Sequence, residues 1–492
     1  MAYCEAQFQM SLKNSTISSL FWKLLERGGR ATVELIVQII LARLLSPEEF
    51  GSLAIMLVFI NIGNVIVQSG LNTALVQAQN IDSVDLSTVF WLSFFVSAGM
   101  FAIVYIVAPS VATFYDMPYI VWPLRALSLV FLITSFNSVQ VAIVQRVLQL
   151  RKVFFATISA ALISGIIGIG SAVLGAGLWA LVLQQLVFQF TNCLVLGIQV
   201  RWFPSKMFDR VKARKHLNYG WKLLVSGLLD QGYQSISDLI IGKQFSTNSL
   251  GLISQGKKYP QALGSMLDGA IQPVMLSAVA HLQTDVSLVK SLIRRALKSS
   301  TFLIVPSMTL FAVVAKPVVF ILLGDKWLPC VPFLQMYCFV YALLPIHTTN
   351  LQALNGMGRS DLFLKLELIK KAYGICFILF AAFVMRDVYL MVAMYMITGI
   401  ISTFVNAYPN KRVIGYSYSE QIRDIAPAFV ISAIAGGLAL FCGSFVASPG
   451  LQILVEVAVM AITYFGIAGI FKLEAFEYLI NTARDFLGAK RR

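Results

Sequence analysis

Long apolar blocks separated by short polar stretches dominate this chain. A bilayer core is about 30 Å thick, so a helix needs about 20 largely apolar residues to cross it. Fourteen stretches meet that length, roughly 26–45, 50–72, 87–108, 118–142, 154–175, 177–200, 221–243, 249–280, 300–323, 330–354, 364–385, 387–408, 425–447 and 450–471. The pattern predicts an all-α polytopic membrane protein of about 14 transmembrane helices. Several blocks contain Gly or Pro. Pro260 and Pro273 in span 8 are expected to interrupt that helix, as in the broken helices of transporter sites.

The blocks repeat. Trp22-Lys23-Leu24-Leu25 returns as Trp221-Lys222-Leu223-Leu224. Downstream, Ala42-Arg43-x-x-Ser46-x-x-x-Phe50-Gly51 returns as Gly242-Lys243-x-x-Ser246-x-x-x-Leu250-Gly251. Spans 1–6 and 7–12 are therefore expected to form two six-helix lobes. Six is even, so both copies enter from the same side and are related by an axis along the membrane normal. The expected divisions are 1–220 for the N-lobe and linker, 221–424 for the C-lobe, and 425–492 for spans 13 and 14 and a tail. Repeated bundles of this kind are the usual build of alternating-access transporters, with the substrate site between the halves.

Polar residues recur on matching faces of the two copies. Span 1 carries Glu26, Arg30, Glu34 and Gln38, four apart, which places them on one slowly winding stripe. Span 7 carries Asp230, Gln234 and Asp238, span 2 carries Asn61, Asn64, Gln68 and Asn72, and span 8 carries Gln261, Asp268 and Gln272. A charged residue at the centre of a spanning helix costs about 2.5–3.5 kcal/mol on insertion scales, so such faces turn inward or toward water. Two readings of the stripe stand side by side: a hydrophilic cavity, or mutual neutralisation of Glu26–Arg30 and Arg30–Glu34 as i,i+4 pairs. Lys257 and Lys258 in span 8 either snorkel to a surface or enter the cavity. Arg43 and Lys243, each in the last turn of a helix, read as partners of the helix dipole.

Composition agrees with the spans. Apolar residues make up 58% and charged residues 12% of the 492, against about 25% charged in soluble proteins. The net charge of +15 could suggest nucleic acid, but thirty of the 38 Lys and Arg fall in 1–30, 73–86, 143–153, 201–222, 281–299, 355–371, 409–424 and 472–492, the two ends and alternate connections with the span ends that flank them. That is the positive-inside pattern, and it predicts cytoplasmic termini and a cytoplasmic 201–222 linker, with no nucleic-acid partner. The first twenty residues lack the apolar core of a signal peptide. The tail from Lys472 alternates charged and apolar residues, as an interfacial helix would. Six scattered cysteines and the distant His216, His281 and His347 suggest neither a disulfide framework nor a metal site. No Walker sequence or nucleophile–base set is visible, and the expected outer loops are short, so neither an ATP-driven pump nor a glycan polymerase is supported.

Four segments carry a family resemblance: Leu41-Ala-Arg-Leu-Leu-Ser-Pro-Glu-Glu-Phe-Gly51, Gly70-Leu-Asn-Thr-Ala-Leu75, Leu323-Gly-Asp-Lys-Trp327 and Gly358-Arg-Ser-Asp361. With the fourteen spans, the chain resembles the multidrug/oligosaccharidyl-lipid/polysaccharide exporter superfamily, within it the bacterial O-antigen and exopolysaccharide flippases. The resemblance implies two six-helix lobes and a substrate of undecaprenyl-pyrophosphate carrying an oligosaccharide, turned across the inner membrane. It leaves a lipid II flippase and a cation-coupled multidrug antiporter as alternatives. A non-transporting scaffold would gain little from matched intramembrane charges. For the pyrophosphate, the expected cations are Arg30, Arg27, Lys257 and Lys258, since guanidinium presents a fork suited to phosphate oxygens. The expected cavity face is Glu34, Gln38, Asn61, Asn64, Gln68, Gln234, Gln261 and Gln272. Glu34, Asp230, Asp238 and Asp268 are candidates for coupling to an H+ or Na+ gradient; no other cofactor is implied. Membrane lipids, a glycan polymerase and glycosyltransferases are the expected partners.

Overall fold

The computed structural model describes the backbone of residues 2–68, 70–78 and 81–489. Within these, side chains are described from residue 22 onward, apart from positions 24, 219, 222, 267, 270, 273, 482, 483 and 485–489. Cys4 and the last three residues of the tail thus lie outside the described side chains. The helices, in chain order, are α1 (Ala2–Leu44), α2 (Pro47–Gln68), α3 (Leu71–Gln77), α4 (Ser83–Phe114), α5 (Val121–Leu127), α6 (Leu129–Arg146), α7 (Leu150–Val173) and α8 (Leu178–Val200). There follow α9 (Arg210–Gln244), α10 (Thr247–Leu282), α11 (Val286–Val313), α12 (Ala315–Leu322), α13 (Val331–Ala342), α14 (Leu344–Gly356), α15 (Ser360–Phe380) and α16 (Val388–Ala407). Short α17 (Asn410–Val413) leads to α18 (Tyr418–Gly443), α19 (Pro449–Ile470) and the tail helix α20 (Glu474–Ala489).

Among the described residues, eleven segments are long and apolar enough to cross a membrane. The three expected spans outside that set are 1, 7 and 8. Their helices α1, α9 and α10 are the longest in the list, at 43, 35 and 36 residues, so length is not what they lack. α1 and α9 fall short in apolarity, because they carry the polar stripes, whereas α10 keeps an apolar run over 263–280.

Helix ends are set by local chemistry. Asp82 and Asp85 form a capping box at the start of α4, and Ser417 and Glu420 do so at α18. Asp209 caps α9, accepting from the Val211 and Lys212 amides at 2.7 and 3.2 Å. That cap starts α9 well before the expected 221, so the basic residues Arg210, Lys212, Arg214 and Lys215 are helical rather than loop. The segment leading into α9 is tied to α4. Ser205 bonds Ser87 at 2.8 Å, the Trp91 indole donates to the Ser205 carbonyl, and Lys212 bridges Asp82 and Asp85 at 2.6 and 3.0 Å. The Lys212 hydrogen bond holds the Asp82 carboxyl well below the usual carboxylate range.

Two span expectations are corrected. The α10 backbone runs unbroken through Pro260 and Pro273. Each proline removes one N–H and crowds the carbonyl four residues earlier, yet the helix continues past both. At Gly256, a turn before Pro260, an added Cβ would lie 2.9 Å from the Leu334 amide nitrogen of α13, so the two backbones approach closely. The breaks fall instead in spans 4 and 10. Span 4 opens with a tight turn at Pro118–Ile120, runs as α5 and restarts as α6 after Ser128. Span 10 opens with a tight turn at Asp325–Cys330, runs as α13 and restarts as α14 after Leu343, where Pro345 sits in the first turn and needs no N–H partner.

Those breaks make the repeat visible in the backbone. Spans 4 and 10 are equivalents in the two copies and share the same order of elements. The connection after span 4 passes through Leu148 (φ 54°) and Gln149 (φ −90°, ψ 49°); the one after span 10 passes through Gly358 (φ 72°) and Arg359 (φ −94°, ψ 53°). The repeated serines also match. Ser46 exchanges hydrogen bonds with Glu49 at the start of α2, and Ser246 accepts from the Ser249 amide at the start of α10. A Cβ on Gly51 would lie 1.8 Å from the Thr247 carbonyl oxygen, and a Cβ on Gly251 would lie 1.8 Å from the Pro47 carbonyl oxygen. The first turns of α2 and α10 therefore cross backbone to backbone through repeat-related residues.

By compactness the chain forms two units, Met1–Gly251 and Leu252–Arg492. α9 opens the second sequence copy, but it packs on α2, α3 and α4 and belongs to the first unit. A repeat in sequence and a compact unit in space are different divisions. In the first unit one core cluster gathers Leu71, Leu75, Val89, Phe90, Val139 and Ala142. In the second, α18 and α19 pack on α11 through Phe302, Ile431, Ala435, Met460 and Tyr464, and Phe476 of α20 covers that cluster.

Candidate functional site

The span 1 stripe is real, and its pairing is specific. Arg30 Nε donates to Glu34 Oε1 at 2.7 Å, with both side chains more than 40% exposed. Glu26 is buried and pairs with Lys23, one turn earlier, instead of with Arg30. The expected Glu26–Arg30 pair is thus absent among the described contacts; the three-residue spacing to Lys23 satisfies Glu26 on the other side. Arg27 is exposed. Gln38 is buried and donates to Gln184 of α8 at 3.4 Å. The Arg30 guanidinium stands 4.7 Å from the centroid of the Phe188 ring, also on α8.

The other polar faces are also placed. On α2, Asn61 and Gln68 are exposed, and Asn64 accepts from the Thr134 hydroxyl at 3.4 Å. On α9, Gln234 donates to Asp230 at 2.8 Å, both exposed, and Asp238 is half-buried. On α10, Gln272 donates to Asp268 Oδ2 at 2.7 Å. Asp268 is buried, with the Thr348 hydroxyl beside its carboxylate and no hydrogen bond at Oδ1 among the described residues. Gln261 is exposed, and Lys257 and Lys258 are half-buried. Lys257, Gln261, Asp268 and Gln272 share one face by helical periodicity. Lys243 bonds Asp116 at 2.9 Å and lies over the Phe114 ring, in keeping with a structural reading.

Exposed charge within a spanning helix has a physical meaning. Arg30, Glu34, Asn61, Gln68, Asp230 and Gln234 all belong to the first unit and are open to their surroundings. Hydrocarbon there would cost several kcal/mol per charge, so a lipid-facing placement of Arg30, Glu34 and Asp230 is disfavoured. Arg30 and Arg27 belong to the first unit; Lys257 and Lys258 belong to the second.

Sequence reading missed the aromatic partner of Arg30 and a polar network in the second unit. There Asn350 of α14 and Gln421 of α18 exchange side-chain bonds at 2.9 and 3.0 Å, and Asn410 donates to Asn350 at 2.6 Å. All three are nearly fully buried. His347 bonds Asn406 at 3.2 Å. Glu456 is fully buried in α19, where Gln452 donates to it at 2.8 Å. A lone Asn or Glu in an apolar span was the available signal.

The fold and its polar faces define a helical membrane bundle built on an internal repeat, with charged and polar side chains on several of its helices. A solved lipid II flippase, MurJ, in an inward closed conformation, has the same fold, with a TM-score of 0.76 at 13% identity over 94% of this chain and 100% of that one. The chain matches the model of the polysaccharide biosynthesis protein family over residues 40–332 and belongs to that family. Among relatives, the lipopolysaccharide biosynthesis protein WzxC of Escherichia coli strain K12 is 21% identical over 86% of each chain. The succinoglycan biosynthesis transport protein ExoT of Rhizobium meliloti strain 1021 is 23% identical over 71% of each. The four segments that carried the resemblance act locally as turns and caps. Gly70 (φ 67°) opens α3, Gly324 (φ 94°) precedes the fully buried Trp327, and Arg359 pairs with Asp361 after Gly358.

Proposed function

We propose that this protein flips an undecaprenyl-pyrophosphate-linked oligosaccharide from the cytoplasmic to the outer leaflet of a bacterial inner membrane, for surface polysaccharide synthesis. The observation that carries the reading is the exposed, half-paired stripe of α1, with Arg30 held by Glu34 at 2.7 Å. A polar headgroup cannot cross hydrocarbon unaided, while its lipid tail can stay there. Water-facing polar helices serve the first part, and the apolar faces of α18 and α19 beyond the repeat suit the second. Family membership and relatives named for polysaccharide synthesis and transport support the substrate class.

In this reading Arg30 and Arg27 receive the pyrophosphate, with Lys257 and Lys258 as the second contact, and Asn61, Asn64, Gln68, Gln234, Gln261 and Gln272 line the sugar's path. The six-span repeats rock to give alternating access, and the chain makes and breaks no covalent bond. Asp268, with one carboxylate oxygen lacking a hydrogen bond, is the first candidate for coupling to a proton or sodium gradient, ahead of Glu34, Asp230 and Asp238. Both termini and the 201–222 linker face the cytoplasm, and a polymerase accepts the product outside. Purified protein in proteoliposomes is the test. A lipid-pyrophosphate glycan loaded in one leaflet should become accessible in the other, faster under an imposed H+ or Na+ gradient. Flipping no faster than in empty vesicles rejects the function. Flipping that ignores both gradients rejects the coupling alone.

A further inference from the structure

We propose that Phe188 of α8 is a positioning residue for the phosphate-binding guanidinium of Arg30, and that Phe188 and Glu34 together preorganise that side chain for a pyrophosphate. The inference rests on the functional reading above and adds a residue that sequence did not single out. Arg30 is fixed at two points. Glu34 takes Nε at 2.7 Å, and the ring of Phe188 covers the guanidinium face at 4.7 Å. Neither terminal Nη nitrogen makes a hydrogen bond among the described residues, and the side chain stays 44% exposed. The open part of the fork is thus the pair of terminal amino groups, the edge that grips two phosphate oxygens.

The platform is itself rigid. Phe188 is 9% exposed and packs with Ala160 and Ala161 of α7 and Val33 of α1. One turn earlier on α8, Gln184 meets Gln38 at 3.4 Å, so two contacts set the register of α8 along the α1 stripe. Phe188 is the eleventh of 23 residues in α8. At about 1.5 Å per residue it lies roughly 15 Å from one end and 18 Å from the other. The ring therefore holds the cation near the middle of span 6. An unsupported arginine at that depth would turn toward a membrane surface. A flat aromatic face attracts it electrostatically, without the neutralising charge that a second carboxylate would bring.

The test uses inorganic pyrophosphate as the probe. An arginine-selective dicarbonyl labels Arg30 in the purified full-length protein, read by peptide mass, and pyrophosphate should protect it. Phe188→Leu keeps the bulk and removes the ring; it should raise the half-protecting concentration about 3- to 30-fold, the span expected of a cation–π contact. Phe188→Tyr keeps the ring and should stay within about twofold of the wild type. Binding of a polyprenyl pyrophosphate, read by native mass spectrometry, should weaken in parallel. With Arg30→Gln, whose binding is already weak, adding Phe188→Leu should change it less than about twofold. No protection in the wild type, equal damage by Leu and Tyr, or an undiminished Leu effect beside Arg30→Gln would each overturn the proposal. Protection that follows Phe188 while wild-type vesicles fail to flip glycan would reject the transport reading and leave the positioning role standing.

Discussion

Two polar systems inside the spans have opposite designs. The α1 stripe is open: Arg30 and Glu34 are over 40% exposed, and the guanidinium keeps two nitrogens without hydrogen bonds among the described residues. The Asn350–Asn410–Gln421 network is closed: each member is at most 1% exposed, and the three bond one another. Both involve polar groups in a membrane bundle, yet their energetics differ. The closed network satisfies its own donors, leaving only the buried Asn410 Oδ1 without a bond among the described residues, and links α14, α17 and α18. An open pair leaves capacity that only water or a ligand can use. Polar content alone therefore does not single out the proposed pathway; exposure with unspent hydrogen-bonding capacity distinguishes the α1 stripe.

Arg30→Ala attacks that contrast most directly. It should cut export about 10- to 150-fold at equal membrane abundance, the range for a lost hydrogen-bonded charge contact. Arg30→Lys should be milder. Surface glycan per unit of membrane protein is the measurement, and unchanged export in the alanine variant would place the open stripe among structural features.

Close packing supplies the next comparison. Gly51→Ala and Gly251→Ala each push a methyl group to within 1.8 Å of a backbone carbonyl oxygen that cannot swing aside. Each should destabilise by at least about 1–3 kcal/mol, and by similar amounts, since the contact is reciprocal. Thermal unfolding in detergent would show this as comparable losses, whereas the polar stripe variants should unfold near the wild-type temperature.

Asn350→Leu tests the closed network. It strands the facing amides of Asn410 and Gln421 and should cost about 1–3 kcal/mol of stability. Pyrophosphate protection of Arg30 should not change. Loss of protection with unchanged stability would show that the closed network is itself part of the pathway.

The smallest effect is a pH dependence at the start of α18. Lys290, and the capping bonds with Ser417, hold Glu420 down to about 2 from its ordinary 4.5. A carboxylate depressed in the folded state stabilises it above the unfolded value and loses that contribution as the pH falls. The loss should run from about pH 4.5 to about pH 2, and Glu420→Gln should flatten that part of the stability curve. Because the group is exposed, the change should be small. An identical acid profile in the variant would refute the assignment.

The local geometry of the candidate site was legible because spacing on a helix survives folding. Arg30 and Glu34 lie four apart and do pair, and the equivalent faces of α2, α9 and α10 do carry exposed polar groups. Partners from distant spans were not legible. Phe188 is 158 positions from Arg30, and one phenylalanine among 35 gives no hint that its ring faces a cation. The prolines of α10 misled for a related reason. A local rule puts a break at Pro260, but the helix runs on, close against α13 at Gly256, while spans 4 and 10 break at matched positions that no proline pattern foretold in both.

Sequence by itself determined the membrane class, about fourteen spans, the twofold repetition and the helices that bear charge. The spans follow from the length of apolar runs, which a bilayer reads directly, and the repetition from recurring segments such as Trp22-Lys23-Leu24-Leu25 and Trp221-Lys222-Leu223-Leu224. Tertiary structure decided which charges stay open. It paired Glu26 with Lys23, left Arg30 half-paired under Phe188, and closed the Asn350 network on itself. It also put Gly51 and Gly251 where their repeats meet. Those outcomes depend on which helices become neighbours, a long-range property of the packed bundle that residue spacing along one helix cannot encode.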